Sequence, residues 1–185
     1  MINNYSNKEI INYLKIGDLI LNNYNKEFIN AFNYNHITIF VGDNLRERLK
    51  KIFDNKIYFN DINNETKYVI DFLSNGNFTF ISIDKFLSKR KIIKVYNIIN
   101  YELLTINQYQ DIILQNKLVD NIIYKYFHKK LSIFSFNRTY CFMIIFKTLE
   151  ELLNINFKKR LFYYNEFILY NNNYFNKKFI TTIEM

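Results

Sequence analysis

Three side chains far apart in the sequence could together perform nucleophilic catalysis: the single cysteine, Cys141; one of the two histidines, His36; and Asp71, a carboxylate set inside an apolar run. Such chemistry needs a thiol that is held as thiolate or handed to a base, an imidazole that reaches it, and a third group that fixes the imidazole. Cys141 lies in SFNRTYCFMIIFKTLEELL, near the expected start of a helix for which Asn137 or Thr139 would serve as N-cap. In a first helical turn the dipole and the free backbone N–H groups favour a thiolate, and the same N–H groups form half of an oxyanion hole. The apolar run Phe142 to Ile145 fits an inert core cysteine equally well.

His36 opens the segment HITIFVG. In a pleated strand His36, Thr38 and Phe40 share one face, while Ile37, Ile39 and Val41 share the other and read as the core side. The imidazole is therefore expected at a strand end, on the less apolar face, where side chains can line a cleft; a surface or satisfied polar histidine fits the same pattern. Asp71 interrupts Tyr68-Val69-Ile70-Asp71-Phe72-Leu73. A buried carboxylate requires a partner, for which an imidazolium is the natural candidate, whereas an edge strand with one solvated face would need none. His128 stands beside Lys129 and Lys130 at an expected helix C-terminus, where positive charge is favourable, so a structural role covers it.

The elements that must position these groups follow from periodicity. A short helix is expected over Ser6 to Leu14, then strands at Asp18 to Leu21 and His36 to Val41. The charged stretch Asn44 to Asp54 reads as a helix or a long loop. Strands are expected at Lys67 to Phe72, Phe78 to Ser82 and Ile92 to Ile98, with a short helix over Ile83 to Ser88. The turn Ser74-Asn75-Gly76-Asn77 joins the first two of these strands as a hairpin. From Thr105 to His128 the spacing becomes helical, with Ile112, Ile113, Val119, Ile122 and Ile123 near one stripe, and a second helix spans Thr139 to Asn154. The tail from Leu161 to Ile183 alternates aromatics with asparagines and is expected to be irregular or to add an edge strand. Glycine is scarce, and Gly17, Gly42 and Gly76 each sit at a strand boundary, where a positive φ or a close approach is needed. Strands mainly precede helices, which argues for an α+β fold.

At 185 residues, with 49% hydrophobic and 19% aromatic side chains, the chain supports one packed domain over residues 1–185 rather than disorder. No apolar run reaches the ~20 residues of a spanning helix, and MINNYSNKEIINYL lacks the basic-then-apolar pattern of a secretion signal. One cysteine permits no internal disulfide, so a reducing, cytoplasmic setting is expected. The formal charge of +8 would suit nucleic acid or an anionic membrane. However, the chain has no Pro or Trp, and Ala31 is its single alanine. Asn, Ile, Lys, Tyr and Phe abound, as AT-rich codons would produce, and the same bias accounts for the lysines. No basic stripe with interleaved stacking aromatics stands out, so nucleic acid is not expected as a partner. No cofactor is implied.

The order of these motifs resembles the permuted NlpC-type papain-like family, which includes the YiiX-like bacterial proteins and their poxvirus relatives and, more distantly, lecithin retinol acyltransferase. Gly17-Asp18-Leu19-Ile20 looks like that family's first strand, and His36 through Gly42 looks like its histidine strand. Tyr68-Val69-Ile70-Asp71 looks like its acid strand and Thr139-Tyr140-Cys141 its cysteine helix. The resemblance implies a circularly permuted papain-like domain in which Cys141 is the nucleophile, His36 the general base and Asp71 the orienting acid. It implies a thiol hydrolase or acyltransferase that forms a thioacyl intermediate on an amide or ester of a lipid or peptide. The Cys141 backbone N–H would be one oxyanion donor, with Tyr140 and Asn137 as candidates for the second. Three departures stand out: Asp71 replaces the usual Glu, Asn35 stands where Ser often precedes the histidine, and Phe142 follows the cysteine in place of Ser. The Phe142 and Asp71 departures support an alternative, a binding module that kept the fold and lost the chemistry, for instance a viral protein acting on a host partner. AT-rich coding fits such a viral relative, in host cytoplasm or virion, and peripheral contact with an anionic membrane is compatible with the basic surface.

Overall fold

A computed structural model of the chain describes residues 3–22, 36–54, 61–72, 78–88, 92–98, 108–127, 140–157, 167–170 and 174–183. The N-terminal half contains β1 (Asn3–Tyr5), α1 (Asn7–Tyr13), β2 (Leu19–Asn22), β3 (His36–Gly42), α2 (Leu45–Ile52), β4 (Tyr68–Phe72), β5 (Phe78–Ser82) and α3 (Ile83–Leu87). It is followed by β6 (Ile92–Ile98), α4 (Gln108–Tyr126), α5 (Tyr140–Leu153), α6 (Phe167–Tyr170) and β7 (Phe175–Ile183). The strands form one seven-stranded sheet in the order β1-β7-β6-β2-β3-β4-β5. Every neighbouring pair is antiparallel except β1 and β7, which run parallel. The architecture is α+β, as the order of strands and helices implies.

The two-residue period of the strands builds two apolar layers. On one face Leu19, Leu21, Ile37, Ile39 and Ile70 pack with Leu118, Val119 and Ile122 of α4 and with Cys141, Ile144 and Ile145 of α5. On the other, Ile20, Phe40, Val69 and Val95 pack with Ile10 of α1 and with Ile83, Phe86 and Leu87 around α3. Ser6 closes the start of α1 with a capping box, its hydroxyl accepting from the Glu9 N–H while the Glu9 carboxylate accepts from the Ser6 N–H.

The structure departs from the sequence expectations at three places. All seven residues of β3 are buried, so the face carrying His36, Thr38 and Phe40 is covered rather than open. One strand's alternation underrates that face, because Ile20, Val69 and Val95 from neighbouring strands make it apolar enough to require α1 and α3 as cover. In α4 the buried positions are Leu114, Leu118, Val119, Ile122 and Ile123, while Ile112 and Ile113 are 50% and 38% exposed. Ile113 points off the stripe, and Ile112 lines a surface cleft with Lys15, Ile16 and Gly42. The C-terminal segment forms a regular strand, β7, which lies between β1 and β6 instead of at an edge. Its partners are remote in sequence, and local alternation does not register them. The charged stretch after β3 resolves as helix α2, which ends on Phe53. The Ser74–Asn77 turn, Gly76, Asn137, Thr139 and His128 with Lys129 and Lys130 lie outside the described residues.

Gly17 shows why a glycine stands before β2. Its φ is +85°, and a Cβ there would lie 2.6 Å from Gln115 Cβ and 3.0 Å from Gln115 Cα on α4. Its N–H donates to the Phe40 carbonyl at 2.8 Å, and the Phe40 N–H donates to the Asp18 carbonyl at 2.9 Å, which locks the turn onto β3. Gly17→Ala combines left-handed strain with overpacking against helix backbone and is expected to cost about 2–4 kcal/mol in denaturant unfolding. A loss below ~0.5 kcal/mol, the range of an ordinary surface substitution, would show that α4 does not press on this turn.

Candidate active site

The register of β3 with β4 pairs Ile39 with Ile70 and Phe40 with Val69, which puts Asp71 diagonally across from His36 on the same face. On its far side β4 is paired with β5, Asp71 standing opposite Thr79, so Asp71 is not on an edge strand. It is completely buried. Its Oδ1 is hydrogen-bonded to His36 Nε2, which supplies the partner a buried carboxylate requires. The side chain reaches the imidazole although it is one methylene shorter than glutamate.

Cys141 is the second residue of α5, a helix packed against β3. Its apolar neighbours place it in the main core, where it is 5% exposed. Its side chain nevertheless lies near enough to the His36 imidazole to help raise the pKa of that ring. Cys141, His36 and Asp71, contributed by α5, β3 and β4, thus come near one another. His36, as the first residue of its strand, is at the end of the sheet where its ring can reach the opening turn of a helix packed on the opposite layer. Of the sequence-proposed residues, these three come together; Tyr140 opens α5 one residue earlier.

The electrostatics of His36 result from competing effects. Burial by itself disfavours the charged ring, but the hydrogen bonds from Asp71 and Cys141, together with the negative charge of both, outweigh it and raise the pKa from 6.5 to about 9. A group whose folded pKa lies above its unfolded value stabilises the fold fully below the unfolded pKa and loses that contribution as pH rises through the folded one. Stability is therefore expected to fall between about pH 6.5 and about pH 9. His36→Gln should flatten that decline in denaturant titrations, and NMR of the ring protons should place the midpoint near 9. A midpoint at or below the ordinary value would mean that the ring is not held between two negative groups.

One neighbour of the triad did not emerge from the sequence reading. Asn22, the last residue of β2, is the cross-strand partner of His36 and is completely buried. The signal available in the sequence was a polar residue closing the apolar run Leu19-Ile20-Leu21, one strand before the histidine. Among the described residues, no group of three or more His, Cys, Asp or Glu side chains is arranged to hold a metal ion. No helix among them is long and apolar enough to cross a membrane.

Residues 13–181 match the sequence model of a family described as permuted papain-like amidase enzyme, YaeF/YiiX, C92 family. No curated protein and no solved structure gives a significant match.

Proposed function

The chain belongs to the YaeF/YiiX family of permuted papain-like amidase enzymes, and from that premise we infer that it cleaves an amide or ester of a lipid or peptide with Cys141 as nucleophile, His36 as base and Asp71 as orienting acid. The observation that carries this reading is a His36 imidazole bonded to the buried Asp71 carboxylate with Cys141 beside it. With its pKa raised to about 9, His36 already holds the proton given up by the thiol, and the sulfur of this ion pair attacks the carbonyl carbon. As the tetrahedral adduct collapses, the imidazolium returns that proton to the departing nitrogen or oxygen, leaving an acyl group on Cys141. Water then attacks the thioester, giving its proton to His36, and the acid product leaves as the thiol is restored. Another acceptor in place of water would make the same site an acyltransferase. Asp71 holds Nε2–H throughout and stabilises the positive ring.

This reading takes residues 1–185 as one papain-like domain. The single cysteine and the AT-rich residue usage favour a cytoplasmic setting, within a host cell or virion if the gene is viral.

Alkylation by iodoacetamide at neutral pH, followed by peptide mass spectrometry, tests the pair. Cys141 of the unsubstituted protein should react at least roughly tenfold faster than in His36→Ala, whose thiol should approach an ordinary cysteine, only a few per cent ionised at neutral pH. Equal rates would favour the alternative of a binding module that retains the fold without the chemistry.

A further inference from the structure

We propose that Asn22 is the side-chain oxyanion donor of this site, its Nδ2–H meeting the substrate carbonyl oxygen as negative charge develops there. The inference rests on the cysteine-hydrolase reading above and deepens it. Asn22 has no exposed surface, and among the described residues neither its Nδ2 nor its Oδ1 has a hydrogen-bond partner. A buried carboxamide left unsatisfied at both ends destabilises a fold, and natural proteins rarely keep one without a role. An apolar residue of the same size would pack there at no such cost, and the preceding three residues of β2 are all apolar.

The position of Asn22 supplies the role. It stands directly opposite His36 in the antiparallel register, so the two side chains leave the sheet on the same face, with Cβ atoms about 4.5–5.5 Å apart. The ring of His36 in turn contacts the Cys141 thiol. An acyl carbon attacked by that sulfur would bring its oxygen into the neighbourhood of a dry, preorganised and unused N–H donor, the arrangement that stabilises a tetrahedral adduct best. The Cys141 backbone N–H at the start of α5 would be the other donor.

The step is balanced without any further reactant. Sulfur forms a bond to carbon, the carbonyl π pair moves onto oxygen where Asn22 Nδ2–H receives it, and the pair returns as the leaving group departs with the proton from His36. Alkylation by iodoacetamide displaces iodide and passes through no oxyanion, whereas acylation by p-nitrophenyl acetate does. The two reagents therefore separate the role of Asn22 from that of the thiol–imidazole pair.

In Asn22→Leu, alkylation of Cys141 should stay within about twofold of the unsubstituted protein, while the p-nitrophenolate burst should slow by about 10²–10³-fold. The melting temperature should be unchanged or higher, because an unsatisfied amide has been replaced by an apolar group of similar size. Asn22→Ala, which removes the amide without adding branching, should show the same split and guards against a packing defect in the leucine variant. An undiminished burst in both variants would overturn the proposal. Equal slowing of alkylation and acylation would also overturn it and would assign Asn22 to holding the imidazole. If alkylation of the unsubstituted protein did not depend on His36, the hydrolase reading itself would fail, a result distinct from any seen in the Asn22 variants.

Discussion

Cys141→Ala is expected to abolish turnover, with a loss on the order of 10⁶ in kcat, the scale seen when the nucleophile is removed from a mutually dependent triad. The magnitude follows from the arrangement: without sulfur, the imidazole has no acyl acceptor to activate, and the remaining donors can only bind. The variant should fold, because alanine occupies the same helical position and is the best helix former. Mass spectrometry after incubation with p-nitrophenyl acetate should show an acetyl group on the residue-141 peptide of the unsubstituted protein and none on this peptide in the variant. An acetyl group on another side chain, with hydrolysis retained, would mean that the nucleophile lies elsewhere.

Asp71 should show a graded response. Asp71→Leu removes both the charge and the acceptor that receives Nε2–H, so the ring loses its tautomer and its orientation, and a loss of about 10⁴ in kcat is expected. Asp71→Asn keeps an oxygen for Nε2–H and should fall between that variant and the unsubstituted protein. Both substitutions remove a negative group that raises the His36 pKa above 6.5, so NMR titration should find the ring deprotonating at lower pH than the value of about 9 set by the intact site. Activity that survives in Asp71→Leu would reduce the carboxylate to a structural contact and make the site a dyad. His36, placed between the two groups, is the residue through which both effects are transmitted.

The strands that carry His36 and Asp71 were legible in the sequence because each is a short apolar run rich in β-branched and aromatic residues. The glycines before β2 and at the end of β3 announced themselves through scarcity, and both have φ of +85°. Cys141 was legible as a helix-initial residue, but the sequence offered an inert core cysteine with equal force. The nearness of Cys141 to His36 is what favours the catalytic reading. What stayed hidden has one cause: burial is a property of neighbours. His36, Thr38 and Phe40 read as a cleft-facing row because α1 and α3 are not on the same strand. Ile112 and Ile113 read as core because apolarity was visible while the position of the covering sheet was not. β7 was obscured by the asparagines that lead into it, and its place inside the sheet depends on β1, which comes from the other end of the chain. Asn22 went unnoticed because a single amide gains meaning only from the register that pairs it with an imidazole.

The placement of sulfur, imidazole and carboxylate on three different elements has a temporal consequence. During synthesis the imidazole and carboxylate can meet as soon as β3 and β4 have emerged, since they are sequential strands of one antiparallel pair. The sulfur follows on α5, more than half the chain after the histidine, and closing that span is a late, non-local event. On the hydrolase reading, a nascent or misfolded chain therefore bears an ordinary thiol, and an activated one is expected only in finished molecules. Such a protein arms itself by folding, so the rate at which its thiol gains reactivity on refolding is a clock for the completion of the tertiary structure.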